Sequence, residues 1–123
     1  MSYQSTIEQQ RTYVHAKVVG MRTAENALRF LRESYTACME YEKDAVLLEM
    51  CLSGPSLTTT SVFEVVLSWV PDALKLRKIA YVEASLDDAT MPAFLETVAV
   101  NRGVNVHLFR DVGSAANWLS EVP

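Results

Sequence analysis

Apolar and polar positions follow two spacings along the chain, one typical of strands and one typical of helices. The clearest stretch runs from Lys78 to Leu119. Ile79 to Val82 is a short apolar run that suits a buried strand, and Gly103 suits the end of the helical pattern that follows it. Residues 104–108 then alternate as in a second strand, and Asp111 is placed to cap a last helix. This stretch therefore predicts strand, helix, strand, helix.

The first half of the chain predicts the same kinds of element. Ser5 to Val19 alternate imperfectly and are rich in β-branched residues, so they predict a hairpin that turns near residues 9–11. Thr23 is placed to cap a first helix that ends near Glu42. Ala45 to Leu52 is apolar nearly throughout, which is typical of a central strand covered by other elements.

A further helix is predicted after Gly54 and Pro55. Ser61 and Glu64 match a capping box, and Pro71 lies late enough to end or kink the helix. Five apolar residues are predicted to share one face of it: Val62, Phe63, Val66, Leu67 and Val70. The full order is β, β, α, β, α, β, α, β, α, which predicts an α/β fold with a largely parallel sheet.

Length and composition favour a single soluble domain spanning residues 1–123. Half of the 123 residues are hydrophobic and a fifth are charged, as in ordinary globular proteins. No apolar run approaches the roughly 20 residues that a transmembrane helix needs. The N-terminal residues lack the pattern of a secretory signal, so we expect a cytoplasmic protein.

The balance of charge argues against a nucleic-acid partner. The formal charge is −4, from 15 acidic and 11 basic residues, and this gives no electrostatic footprint for DNA or RNA. One basic cluster, Lys75, Arg77 and Lys78, lies between a helix and a strand. Solvated surface is its favoured interpretation, ahead of an anion or membrane contact.

The sequence contains no recognised catalytic, nucleotide or zinc motif, so we expect neither an enzyme nor a bound cofactor. His15 and His107 would meet if their strands were neighbours, but two histidines alone are a weak catalytic signal. Asp87 and Asp88 supply too few of the about 6–8 oxygen ligands that calcium takes, which favours helix capping.

The two cysteines, Cys38 and Cys51, lie in apolar patterns, one on a predicted helix and one on a predicted strand. Small core residues are the favoured interpretation for such cysteines, ahead of a catalytic thiol. An enzyme that uses Cys51 with His15 or His107 is the weakest of the alternatives left open.

The loop from Ser53 to Ser61 is the best candidate for a functional segment. It follows the central strand, leads into a helix, and carries hydroxyl groups on six of its nine residues. The amides at a helix N-terminus favour anionic groups, so a phosphate would be tolerated there. The candidates for phosphorylation or partner binding are Ser53, Ser56, Thr58, Thr59 and Ser61. Ordinary turn and cap chemistry is the competing interpretation.

Four segments of the chain together resemble the SpoIIAA-like proteins, a bacterial group related to STAS domains. They are the hairpin ending in Gly20, the strands AVLLEMCL and IAYV, and the C-terminal segment NRGVNVHLFRDVGSAANWL. The resemblance covers nearly the whole chain, and its C-terminal segment is the most specific. It implies one α/β domain, a mixed sheet of four or five strands with helices mainly on one face, and a binding or regulatory role without catalysis.

The resemblance also implies partners. STAS proteins that antagonise anti-sigma factors are phosphorylated by a partner kinase on a serine that begins the helix after the central strand, and Ser53 to Ser61 is the corresponding region. This chain lacks the acidic residue that normally precedes that serine. The group is similar in fold to Sec14-type domains as well, which implies a carrier of a hydrophobic or lipid ligand as the alternative function.

Self-association is a further possibility that the sequence leaves open. A β-rich edge at residues 5–10 would pair across a two-fold axis and so satisfy its unpaired amides in a homodimer.

Overall fold

The computed structural model describes residues 3–83 and 90–121 of the chain, with the side chain of Thr90 outside that description. Its elements follow the predicted order. They are β1 (Tyr3–Gln9), β2 (Val14–Met21), α1 (Ala24–Glu40), β3 (Ala45–Ser53), α2 (Thr59–Ala73), β4 (Lys78–Val82), α3 (Thr90–Val100), β5 (Val106–Phe109) and α4 (Val112–Ser120).

The strands form one mixed sheet in which spatial order equals chain order, β1-β2-β3-β4-β5. β1 pairs antiparallel with β2 in the predicted hairpin, and β2, β3, β4 and β5 run parallel to one another. Val14 lies beside Val46 and Ala45 beside Lys78, so β2, β3 and β4 start nearly level. The α/β fold with a mixed sheet of five strands is confirmed.

The helices divide unequally between the two faces of the sheet. Helices α1, α2 and α3 cover one face, where Phe30 and Trp69 anchor the larger core. Helix α4 lies on the other face and forms a smaller core with Leu47, Ala80 and Leu119. Helices therefore lie mainly on one face, as the resemblance implied.

The N-terminus of α2 differs from the predicted capping box of Ser61 and Glu64. Thr58 is the N-cap, and its Oγ1 accepts a hydrogen bond from the backbone N–H of Ser61 at 3.1 Å. Thr58 and Ser61 have the same spacing as the two ends of a capping box, so the helix starts one turn earlier than predicted. Pro71 lies inside the helix, which ends two residues later at Ala73.

The buried face of α2 is also rotated relative to the prediction. Val62 and Val66 are buried as expected, whereas Phe63 and Leu67 are 37% and 42% exposed. Val65, Trp69 and Ala73 are buried in their place. Two overlapping apolar stripes exist on this helix, and the one with the larger side chain, Trp69, packs against the sheet because its burial removes more apolar area from water.

Most of the other local predictions are confirmed, and one differs from the structure. Thr23 caps α1 and Asp111 caps α4, as expected. Gly103 has φ +91° after α3, in the left-handed region that suits a helix end. Helix α1 ends at Glu40 rather than near Glu42, because Glu42 has φ +55° and leaves the helix. The expected caps Asp87 and Asp88 lie outside the described residues.

The cysteine prediction is half correct. Cys38 is fully buried on α1, whereas Cys51 on β3 is only half-buried. Cys51 points away from the larger core, towards a part of the sheet that α4 does not cover.

In the part of the chain that is described, no helix is long and apolar enough to cross a membrane.

Candidate functional site

The hydroxyl-rich loop forms the exposed link between β3 and α2. Ser53 ends β3 and donates a hydrogen bond to the carbonyl of Gly20 at 3.2 Å. Thr58 caps α2 and donates to Ser61 Oγ at 3.0 Å. Ordinary turn and cap chemistry therefore occupies three of the five candidate hydroxyls.

The other two candidates, Ser56 and Thr59, are exposed, and their hydroxyls make no hydrogen bond to any described residue. They are the positions at which a phosphate would displace no existing contact. Phosphorylation of this loop stays a prediction.

A cavity of ≈ 50 Å³ lies beside this loop, among α1, α2, α3 and the carboxyl ends of the central strands. Its walls are mainly apolar and include Leu31, Met50, Leu57, Val62, Val65 and Leu95. Ser56 also lines the cavity and is exposed, so the cavity opens towards solvent at the loop. The carboxyl ends of parallel strands are where ligands bind in open α/β sheets.

Two charged residues, Arg22 and Glu83, also line this cavity. Arg22 follows β2 and Glu83 follows β4, so they flank the end of β3. Arg22 Nη2 lies 3.6 Å from Glu83 Oε1, and the two side chains are only 6% and 5% exposed. The cavity therefore combines apolar walls with one buried ion pair.

Contacts to the β3 end fix the position of the Arg22 guanidinium. Nη2 donates to the carbonyl of Leu52 at 2.6 Å, and Nη1 donates to the carbonyl of Gly54. The backbone N–H of Arg22 donates to the carbonyl of Ser53 at 2.8 Å. Arg22 thus ties β2 to the start of the hydroxyl-rich loop.

Glu83 is less well satisfied than Arg22. Its Oε2 atom is buried and accepts no hydrogen bond in the described structure. Burial raises the pKa of Glu83 to about 7, and the Arg22 guanidinium opposes this rise only in part. Burial also raises the pKa of the neighbouring Tyr81 phenol, which stays neutral at ordinary pH.

Sequence reasoning missed Arg22 and Glu83. Each is a single charge directly after an apolar strand, and neither belongs to a recognised motif. A usable signal was their placement, because the ends of neighbouring parallel strands meet at one edge of a sheet. The strand order supplies the rest, since it puts both residues next to β3.

The two histidines do not meet, because β3 and β4 separate β2 from β5. His15 Nε2 lies 2.8 Å from Glu49 Oε1, and the His107 ring packs on Trp118 with a centroid distance of 4.7 Å. The condition under which His15 and His107 would meet, neighbouring strands, is therefore not fulfilled.

Cys51 also lacks the environment of a nucleophile. Its Sγ lies 3.9 Å from Glu49 Oε2, and burial together with that carboxylate raises the pKa of the thiol. The thiol form is therefore favoured, whereas catalysis needs a thiolate.

The basic cluster between α2 and β4 makes local contacts. Lys78 Nζ donates to the carbonyl of Trp118 at 2.8 Å, and Arg77 Nε lies 3.3 Å from Asp44 Oδ2. These contacts fit a structural role for both side chains.

Among the described residues, no group of three or more His, Cys, Asp or Glu side chains is placed to hold a metal ion.

Comparison with known proteins finds a likeness in structure but none in sequence. No protein-family model matches the chain, and no curated protein matches it. Among solved structures, the chain is similar to an uncharacterised protein of the DUF3478 family from Shewanella loihica, which is described as having a SpoIIAA-like fold. The identity is 16%, the match covers 95% of this chain and 93% of that chain, and the TM-score is 0.48. The description names the fold that the sequence resemblance implied, and it assigns no function.

Proposed function

We propose that this protein is a non-catalytic binding module that holds a small, mainly apolar group in the cavity among α1, α2 and α3. The observation that carries the proposal is the cavity itself, which is mainly apolar and lies at the carboxyl ends of parallel strands. This is the ligand-carrier alternative of the sequence analysis, and the position and apolar lining of the cavity support it.

The volume of the cavity restricts the ligand. A volume of ≈ 50 Å³ equals the share of roughly two molecules of liquid water. A complete acyl chain is far larger, so the Sec14-like alternative reduces to a compact ligand or to the end group of a larger one. We expect the rest of a larger ligand to leave past the exposed Ser56.

Xenon is a suitable first probe, because it is compact and enters apolar cavities. We expect saturable shifts in the methyl NMR signals of Leu31, Val62 and Leu95 under xenon pressure. Val65→Phe should fill the cavity and abolish those shifts, whereas Leu67→Phe on the exposed face of α2 should preserve them. Absence of any shift at the lining methyl groups of the folded wild-type protein would overturn the proposal.

A second candidate function is binding of a protein partner through the loop 53–61 and the outer face of α2. Phe63 and Leu67 lie one helical turn apart on that face and are both exposed, and the loop with its free hydroxyls precedes them. An anti-sigma factor or a kinase is the partner class implied by the resemblance. A phosphate on Ser56 or Thr59 would place negative charge beside this apolar surface and so oppose docking.

Two measurements test this second candidate. The intact mass of the protein from its native host should show a phosphate-sized addition that maps to residues 53–61. Capture of a purified anti-sigma factor or kinase should fail for Leu67→Asp and persist for Val19→Asp, since Val19 is 48% exposed on the opposite face of the sheet. Equal capture by both variants would remove α2 as the binding surface.

We also propose that two copies of the chain form a homodimer by pairing through the outer edge of β1. Among the described strands, β1 pairs only with β2, so its other edge is available for pairing. The mass of the protein in solution, measured by light scattering, separates a monomer from a two-fold dimer.

A further inference from the structure

We propose that the group bound in this cavity carries a neutral hydrogen-bond donor, a hydroxyl or a primary amide, which donates to Oε2 of Glu83. The inference rests on the proposed function and adds to it the chemical class of the ligand and the residue that recognises it. Two observations support it. Oε2 of Glu83 is buried and accepts no hydrogen bond from a described residue, and Glu83 lines a mainly apolar cavity.

An unsatisfied buried oxygen is an exception among native proteins. Most buried polar atoms have a partner, because burial without one forfeits the hydrogen bonds that water would supply. The Glu83 side chain is 5% exposed, and its Oε2 is the single buried side-chain oxygen or nitrogen without a partner among the described residues. A ligand donor would supply the missing hydrogen bond.

Arg22 does not fill this role, because its guanidinium is directed elsewhere. It donates to the carbonyls of Leu52 and Gly54, and its nearest approach to the carboxylate is the 3.6 Å contact to Oε1. Those backbone contacts hold Arg22 at the β3 end. Oε2 is therefore the atom of this pair that remains for a ligand.

The ion pair of Arg22 and Glu83 restricts the charge of the ligand. An ammonium group at Oε2 would lie close to the Arg22 guanidinium, and a carboxylate would be repelled by Glu83. Arg22 and Glu83 together carry no net charge when both are ionised. A neutral donor is therefore repelled neither by the guanidinium nor by the carboxylate. A hydroxyl or an amide N–H group fits this requirement and donates well to an ionised oxygen.

The apolar walls determine the remainder of the ligand. Leu31, Leu57 and Leu95 contribute aliphatic surface to the cavity, and such surface favours a short alkyl body. A compact aliphatic alcohol or amide, or the hydroxyl-bearing end of a larger molecule, combines both features.

Binding should depend on pH in one direction. The pKa of Glu83 is about 7, so the carboxylate that accepts the ligand's hydrogen bond becomes more populated as the pH rises from 6 to 8. The other groups around it keep their charge states in this range, because arginine side chains do not titrate near neutral pH and the raised pKa values of Tyr81 and Cys51 keep both neutral. A donor ligand should therefore bind more tightly at pH 8 than at pH 6.

The test is an NMR titration of the full chain with four compact probes that suit the small cavity: ethanol, dimethyl ether, ethylammonium and acetate. We expect ethanol to shift the methyl signals of Leu31, Val62 and Leu95 and to bind roughly tenfold tighter than the ether, which lacks the donor. Glu83→Met should remove this preference. Glu83→Gln keeps an acceptor oxygen without a titrating carboxyl, so it should retain part of the preference and lose its pH dependence.

The outcomes separate this inference from the proposed function. Equal binding of alcohol and ether in the cavity would overturn the donor inference and leave the apolar cavity as a binding site. Tightest binding of ethylammonium or acetate would overturn it in favour of a charged ligand. If neither xenon nor any of the four probes shifts the lining methyl signals, the proposed function and the inference both fail.

Discussion

Glu83 shows how the surroundings of one residue change its chemistry. Its carboxyl group is removed from water by the apolar walls of the cavity, and the contact with Arg22 at 3.6 Å compensates only part of the lost hydration. The pKa therefore rises from 4.5 to about 7. A residue with an unremarkable place in the sequence becomes a group that titrates near neutral pH.

We predict that Glu83 makes the protein less stable as the pH rises. Its folded-state pKa is raised, so its contribution to stability is complete below pH 4.5 and is lost as the pH passes through about 7. The complete loss should be on the order of 3 kcal/mol. Relative to wild type, Glu83→Gln should gain free energy of unfolding between pH 5 and pH 8, as measured by urea denaturation. A difference between the two proteins that stays constant with pH would contradict the prediction.

The two thiols should react at different rates for reasons of burial. Cys38 is fully buried and burial raises its pKa to about 12, whereas Cys51 is half-buried on the open part of the sheet. A thiol reagent should therefore label Cys51 slowly in the native protein and reach Cys38 only on unfolding. Mass spectrometry of Cys51→Ser as the control should show no native labelling. Rapid labelling of Cys51 at neutral pH would revive the enzyme alternative.

At the scale of the element, α2 connects the hydroxyl-rich loop to the cavity and to the core. Its N-cap belongs to the loop, its Val62 and Val65 line the cavity, and its Trp69 anchors the larger core. The candidate loop, whose Ser56 and Leu57 also line the cavity, is thus joined by one helix to the larger core.

The cap of α2 gives a direct test of where the helix starts. Thr58→Ala removes the acceptor for the Ser61 N–H, so we expect a loss of about 1 kcal/mol in the free energy of unfolding. Thr60→Ala in the first turn is the matched control and should not destabilise the protein, because Thr60 caps nothing and alanine favours a helix. A larger loss for Thr60→Ala than for Thr58→Ala would place the helix start elsewhere.

The rotated face of α2 predicts opposite results for two apolar residues. Trp69→Ala should cost roughly 3–5 kcal/mol because it leaves a cavity in the larger core. Leu67→Ala should change stability by no more than about 0.5 kcal/mol because Leu67 is 42% exposed. Thermal unfolding of both variants measures the difference. Similar losses would mean that the predicted face, and not the observed one, packs against the sheet.

At the scale of the whole molecule, the strand order brings the site together. β2, β3 and β4 are parallel neighbours, so their carboxyl ends lie side by side. Arg22, the loop after Ser53, and Glu83 all follow these ends. Helices α1, α2 and α3 lie beside those strand ends and contribute residues to the wall of the cavity.

The position of each strand in the sheet predicts its protection from hydrogen exchange. β3 lies at the centre, with a partner on each side and helices on both faces, whereas β1 lies at an edge. Amides of Val46–Met50 should therefore exchange slowest, and the β1 amides that point away from β2 should exchange fastest. NMR-detected exchange measures both. Slow exchange along the outer edge of β1 would instead indicate the edge-paired dimer.

The sequence by itself determined the elements and their order. Hydrophobic spacing depends on contacts within a few residues, so the strand at Ala45, the caps Thr23 and Asp111 and the turn at Gly103 were all readable from local chemistry. The hydroxyl-rich loop was found in the same way, since residue types alone mark a turn before a helix.

The tertiary structure alone decided which of several local choices was realised, and where the cavity lies. The sequence analysis put the cap of α2 at Ser61, whereas the folded chain uses Thr58, and packing of Trp69 selected the face of α2. The strand order separated His15 from His107 and brought Arg22 within 3.6 Å of Glu83 across 61 positions of sequence. Contacts between distant residues and the loss of water around them depend on the assembled fold, so no local pattern carries them.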